Sequence, residues 1–158
     1  MSHLWRGAAA GAAGTTALQA TTYLDMLLRA RGPSSTPEET VRRAEQAAGT
    51  SLSSDDEAEG NRRSAAGALL GIVTGVASGV GYAVARGRWP RLPTPVLAVG
   101  VGLLAAAGSN APMTALGVTD PRTWDADSWV SDLVPHLCYG IATAGAFEAM
   151  NRRLVEPR

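Results

Sequence analysis

The sequence contains no lysine, only one cysteine and only two histidines, and 5% of its residues are aromatic. Because Cys138 stands alone, the chain cannot form an intrachain disulfide or a metal site built from several cysteines. All fourteen basic residues are arginines, and fourteen acidic residues balance them. The resulting net charge of zero argues against nucleic-acid binding, which requires a clustered basic surface.

Sequence motifs for catalysis and for nucleotide binding are also missing. The chain has no phosphate-binding loop, nucleophile elbow, zinc signature or haem attachment motif. Its glycine-rich segments fall inside predicted helices, where their backbone amides are already used and cannot hold a phosphate. We therefore expect a protein that is not an enzyme and that carries no cofactor.

Long uncharged runs are the main feature that is present. Crossing the hydrocarbon core of a bilayer takes roughly 20 helical residues, and four runs reach that length. They predict an all-α fold, an integral membrane bundle of four transmembrane helices that forms a single domain over residues 1–158. The predicted spans are residues 4–28, 65–85, 95–116 and 129–150, and a polar connector covers residues 29–64.

The tryptophans and arginines support the same arrangement. Trp5, Trp89, Trp124 and Trp129 each fall at one end of a predicted span, as in the aromatic belts of membrane proteins. Arginine-rich segments with almost no acidic residues flank the membrane at the N-terminus, between spans two and three, and at the C-terminus. We therefore predict a multi-pass membrane protein with both termini in the cytoplasm.

The polar connector contains a short predicted helix. Thr36, Pro37 and Glu39 form a capping-box pattern with proline at the first helical position. The helix should end at Ala48, before Gly49. Ser54, followed by three acidic residues, indicates a second helix start that leads into the second span.

Four glycines spaced four residues apart, Gly67, Gly71, Gly75 and Gly79, lie in the second predicted span. Each would cost a soluble helix roughly 0.5–1 kcal/mol relative to alanine. In a bilayer such glycines let a neighbouring backbone approach closely, so we predict a helix-packing face. The face could pack within the bundle of one chain, or it could support self-association.

Five polar residues are predicted to share one leaflet: Asp25, Asn110, Asp132, His136 and Tyr139. Asp132 and His136 are four residues apart on one helix face, which Tyr139 continues. Ionisable groups at membrane depth often mark a proton or ion path, and a histidine can titrate near neutral pH. Two alternatives remain open: interfacial residues that only hydrogen-bond across helices, and a metal site.

The last third of the chain resembles a known family. The matching features are the run from Pro112 to Pro121 (PMTALGVTDP), Trp129, the Ser131–Asp132 pair, His136 and the closing Arg152–Arg153 pair. This pattern is similar to the YagU-like family of small bacterial inner-membrane proteins. The chain departs from the family pattern at position 132, which is Asp rather than Glu, and at position 135, which is Pro rather than Gly. The resemblance implies an integral inner-membrane protein with a link to acid or envelope stress, and it brings no catalytic residues.

We therefore predict a small non-enzymatic membrane protein that handles protons or takes part in acid or envelope stress. One alternative is an oligomeric channel or transporter packed through the four glycines. Another is a structural subunit of a larger membrane complex. The predicted partners are the lipid bilayer and either a second copy of the chain or another membrane protein, with no nucleic acid.

Overall fold

The structure is a computed structural model that describes residues 2–52 and 55–152. In this part of the chain it contains five α-helices and no strand, so the all-α prediction is confirmed. A single turn of 3₁₀ helix, Pro121–Thr123, precedes the last helix. The helices are α1 (His3–Arg29), α2 (Thr36–Ala48), α3 (Asp56–Arg88), α4 (Thr94–Ala115) and α5 (Ala126–Arg152).

The short helix α2 has the predicted bounds but not the predicted cap. It ends at Gly49, whose φ of 64° lies in the left-handed region that glycine tolerates best. The capping box is wrong because Thr36 is already helical and Ser35 is the N-cap, without a side-chain capping bond. Glu39 instead binds Arg42 and Arg43, and the Arg42 hydrogen bond is the main cause that lowers its pKa to about 2.

Asp55 caps the long helix α3, because its carboxylate accepts a hydrogen bond of 2.8 Å from the amide of Ala58. Two residues used in the sequence predictions, Ser54 and Arg153, lie outside the described residues. The predicted second span, residues 65–85, falls within α3, and the predicted third span falls almost entirely within α4.

Helix α1 lies between α3 and α5 and makes the most extensive contacts in the bundle. Helix α4 packs mainly on α5, and α2 packs on the first turns of α3. The core is built from three buried aromatic side chains, Tyr82, Tyr139 and Phe147, surrounded by small residues such as Ala10 and Ala144. Small residues let the helices approach closely, as they do in membrane bundles.

Many of the large aliphatic side chains point outward. Leu27 and Leu28 are about three-quarters exposed, and Ile141 is 66% exposed, whereas Tyr139 and Thr143 are fully buried. Extensive exposure of large apolar side chains is typical of surfaces that contact lipid or a partner.

Two helices are long and apolar enough to cross a membrane by length and composition: Glu57–Arg88 and Thr94–Ala115. They correspond to predicted spans two and three. Helices α1 and α5 do not qualify by the same measure, because glycine, alanine and polar residues such as Gln19 and His136 keep their mean hydropathy low. Membrane association is thus supported by two helices, and the four-span arrangement stays a prediction.

Candidate functional site

A cavity of about 760 Å³ lies between the helices near the end of α1 and the start of α5. We call it the polar cavity. All five helices contribute to its wall, together with the loop that carries Trp124. Its polar lining from α1, α4 and α5 consists of Thr15, Gln19, Thr22, Arg29, Ser109, Asn110, Asp127, Ser128, Ser131, Asp132, His136 and Tyr139.

Three of the predicted site residues form a connected cluster in the wall of this cavity. The amide nitrogen of Asn110 donates a hydrogen bond of 3.1 Å to the carboxylate of Asp132. The other carboxylate oxygen of Asp132 lies 3.6 Å from Nδ1 of His136. The side chains of Asp132 and His136 are 18% and 13% exposed, and both line the cavity.

The hydrogen bonds of His136 determine where its proton lies in the neutral form. Nδ1 is 2.7 Å from the backbone carbonyl oxygen of Asp132, and a carbonyl can only accept, so Nδ1 carries the hydrogen. Nε2 lies 3.4 Å from the hydroxyl oxygen of Ser109. That hydroxyl has one hydrogen, which it can donate to the carbonyl of Ala105 at 3.0 Å. Nε2 is therefore the nitrogen that is open to a proton from the cavity.

Tyr139 forms the floor of the polar cavity. Its side chain is fully buried, and its hydroxyl donates a hydrogen bond of 2.6 Å to the backbone carbonyl of Gly75. Below it, Thr143 is also fully buried, and its hydroxyl lies close against Gly14. The packing under Tyr139 is therefore tight, and the cavity is closed at this end.

Asp25 does not join the Asp132–His136 cluster, contrary to the common site suggested by the sequence. Its carboxylate is 2.6 Å from Nε of Arg31 and 3.6 Å from Arg29. Arg29 also lies 3.3 Å from Asp127 and donates a hydrogen bond of 3.1 Å to Ser131. These ion pairs join the end of α1 to the start of α5, beside the cavity wall.

The four glycines of α3 have different surroundings. A Cβ on Gly79 would collide with the backbone of Gly11, and a Cβ on Gly75 would collide with the Thr15 hydroxyl, so both face α1. A Cβ on Gly67 would lie 2.8 Å from Pro37 of α2. Gly71 does not pack against another helix, contrary to the prediction for the four glycines. No described atom lies within 4 Å of its Cβ position, and the residue lines the polar cavity.

The sequence did not predict a second polar network at the opposite end of the bundle. Glu148 stands four residues before Arg152, a spacing that favours an ion pair within the helix, but its carboxylate lies 2.7 Å from Nε of Arg86. The hydroxyl of Tyr82 donates a 3.0 Å hydrogen bond to Glu148, and Arg86 donates one of 2.8 Å to Thr94. The sequence contains one indication of this network, the four-residue spacing of Tyr82 and Arg86, but many solvent-exposed pairs have the same spacing.

The sequence also missed the anchoring of α2 on α3. Glu45 is buried, and its carboxylate lies 2.5 Å from Nε of Arg63 and accepts a 2.7 Å hydrogen bond from the amide of Leu52. The Arg63 hydrogen bond is the main cause that lowers the pKa of Glu45 below its usual value. Since Thr36 and Pro37 line the polar cavity, this ion pair holds α2 in place against it.

Within residues 2–52 and 55–152, no group of three or more His, Cys, Asp or Glu side chains is arranged to hold a metal ion. Cys138 is a free thiol. No family model, curated protein or solved structure matches the chain. The resemblance to the YagU-like family therefore stays a prediction, and the functional argument depends on the geometry of the polar cavity.

Proposed function

We propose that the chain is a small non-enzymatic protein of a bacterial inner membrane, and that its polar cavity takes up and releases protons at His136. In this arrangement four helices, all but α2, cross the bilayer, both termini lie in the cytoplasm, and the cavity opens on the other side. The two candidate spans and the outward-facing leucines support the membrane placement. Such a protein would suit a response to acid or envelope stress.

The observation that carries the proposal is the position of Nε2 of His136 on the cavity. Histidine is the side chain whose ordinary titration range lies around neutral pH. A proton that enters the cavity can bind Nε2, which then donates to Ser109, while the carboxylate of Asp132 3.6 Å away stabilises the imidazolium. Asn110 holds that carboxylate in place.

Apart from Asp132, which faces His136, the charges around the cavity are held by ion pairs or hydrogen bonds, which leaves His136 as the group that responds. Arg29 and Arg31 bind Asp25, and Arg29 also contacts Asp127. Asp125 accepts a hydrogen bond from the amide of Ser128, the main cause that lowers its pKa, so it stays ionised under mild acid. Helices α2 and α3 line the cavity without any charged side chain.

The closed floor favours a proton-responsive cavity over a channel. Tyr139 and Thr143 are fully buried below His136, and Tyr139 is bonded to Gly75. A conducting path would have to displace this packing. In addition, α1 of the same chain occupies Gly75 and Gly79, which favours a folded monomer over assembly through those glycines.

Nitrogen NMR of the protein in lipid, labelled only at histidine, tests the proposal. The spectrum contains the signals of two histidines, and each serves as a reference for the other. Nδ1 of His136 and Nε2 of His3 each lie within 2.8 Å of a backbone carbonyl oxygen, so a different ring nitrogen carries the hydrogen in each residue. The two neutral tautomers should therefore differ. On acidification of the sample across a pH series, we expect a second proton at Nε2 of His136.

The variant His136→Ala assigns the signal and should still insert into membranes. The proposal is wrong if the His136 signal keeps one protonation state over the whole range. If the His136 ring exchanged protons only with water on the cytoplasmic side, the proposed orientation would be wrong.

A further inference from the structure

A second cavity, of about 350 Å³, lies between α3 and α4 and shares no lining residue with the polar cavity. We call it the α3–α4 groove. Its wall carries no charged side chain and includes Gly81, Ala85, Trp89, Leu97, Gly100 and Leu104. The groove is open at Gly100, where no described atom lies within 4 Å of a Cβ position, and it narrows at Gly81, where a Cβ would lie 3.1 Å from the side chain of Leu104.

The groove opens on the apolar outer surface of the bundle. Val96 and Leu104, which line it, are 55% and 50% exposed, and Val84 beside it is exposed as well. If α3 and α4 cross the bilayer, as the proposed function requires, this opening faces hydrocarbon. A narrow apolar slot in that position fits a single acyl chain.

Unpaired positive charge lies at the end of the groove. Arg88, the last residue of α3, and Arg91, in the turn before α4, are exposed, and neither forms an ion pair with a described residue. The guanidinium of Arg88 lies 5.8 Å from the ring centre of Trp89, which lines the groove. Arg86 points inward to Glu148, and no acidic residue occurs from 86 to 94. The two free guanidinium groups complement a phosphate.

We propose that the α3–α4 groove binds one anionic phospholipid, with an acyl chain against Gly81 and Gly100 and the headgroup phosphate on Arg88 and Arg91. The inference rests on the membrane placement in the proposed function, but not on proton binding at His136. A second copy in the same orientation is disfavoured, because it would bring its own arginines against Arg88 and Arg91.

Native mass spectrometry of the detergent-solubilised protein, with equal amounts of phosphatidylglycerol and phosphatidylcholine, tests the proposal. Each arginine near a headgroup should raise the preference for the anionic lipid about fivefold, so both together should give about 30-fold. The double variant Arg88→Gln/Arg91→Gln should bind both lipids about equally. The control Arg122→Gln, in the loop before α5, should keep the preference because Arg122 is paired with Asp120.

The variant Gly100→Leu should fill the groove and lose both lipids. Its matched control is Gly145→Leu, since Gly145 also has nothing within 4 Å of its Cβ position but lies on α5, outside the groove. The proposal is overturned if the wild-type protein binds both lipids equally, or if Gly100→Leu binds them as the wild type does.

Two further measurements separate other occupants. Excess inorganic phosphate should not displace the lipid, and displacement would indicate a phosphate site instead. The variant Gly100→Cys in a Cys138→Ser background should stay monomeric under oxidation, and a disulfide dimer would indicate a second copy. Failure of any of these tests leaves the histidine NMR experiment unaffected, so the two proposals can fail separately.

Discussion

The contact between α1 and α3 allows a sharp test of the packing, with the substitution Gly79→Ala. In the structure the two backbones touch at this point. A Cβ on Gly79 would overlap the Cα and N atoms of Gly11, and one on Gly11 would lie 2.6 Å from the carbonyl oxygen of Gly75. Because the obstacle is backbone rather than a flexible side chain, a methyl group at Gly79 must push the helices apart.

Gly71→Ala is the matched control, since it makes the same change two turns earlier in the same helix, with nothing within 4 Å of the new methyl group. Both variants gain the same helix propensity, so this term cancels between them. The remaining difference is the overpacking cost at Gly79, about 1–3 kcal/mol.

Reversible unfolding of both variants in mixed detergent micelles, followed by circular dichroism, measures this difference. For a chain of this size each kcal/mol corresponds to about 2–4 °C in melting temperature, so Gly79→Ala should melt at a clearly lower temperature than Gly71→Ala. Equal stability of the two variants would refute the close contact between α1 and α3.

Two other contacts give direct predictions. At pH values above the usual glutamate pKa of about 4.5, the ion pair of Glu45 with Arg63 stabilises the docking of α2. This stabilisation is lost as the pH falls through the lowered pKa that Glu45 has in the folded protein. Glu45→Gln should therefore speed amide hydrogen exchange in α2 at pH 7 and weaken its acid dependence, part of which remains through the lowered pKa of Glu39, whereas Glu38→Gln should change neither; normal protection in Glu45→Gln would be inconsistent with the anchor. Tyr139→Phe removes the buried hydrogen bond to Gly75 and should cost about 0.5–1.5 kcal/mol of unfolding free energy, with no such loss for the exposed Tyr23→Phe. Equal stability of these two tyrosine variants would show that the bond contributes nothing.

The parts of the fold that could be predicted from the sequence are those set by local signals. The bounds of α2 follow from Pro37 and Gly49, which act on the backbone wherever the helix packs. The Asp132–His136 pair follows from four-residue helical spacing. The same spacing would pair Glu148 with Arg152, but Glu148 binds Arg86 on another helix instead. Pairing between helices depends on their relative rotation, which one sequence does not contain.

The glycines of α3 illustrate the same limit. With 3.6 residues per turn, each four-residue step rotates the side-chain direction by about 40°, so Gly67 and Gly79 differ by about 120°. The two glycines therefore meet different helices, α2 and α1 respectively, and Gly71 faces the polar cavity. Asp25 was grouped with Asp132 by depth alone, but the nearby Arg29 and Arg31 bind it instead.

The central claim is that lipid surrounds the bundle while water enters the polar cavity from the non-cytoplasmic side. Cysteine labelling tests it directly, with Gln19→Cys on the cavity wall and Leu103→Cys on the outer surface of α4, each in a Cys138→Ser background. Both positions are exposed in the structure, Leu103 by 49%, so only the surrounding medium distinguishes them. In intact cells a membrane-impermeant maleimide should modify Gln19→Cys and leave Leu103→Cys unmodified. Equal labelling of the two positions would contradict the account.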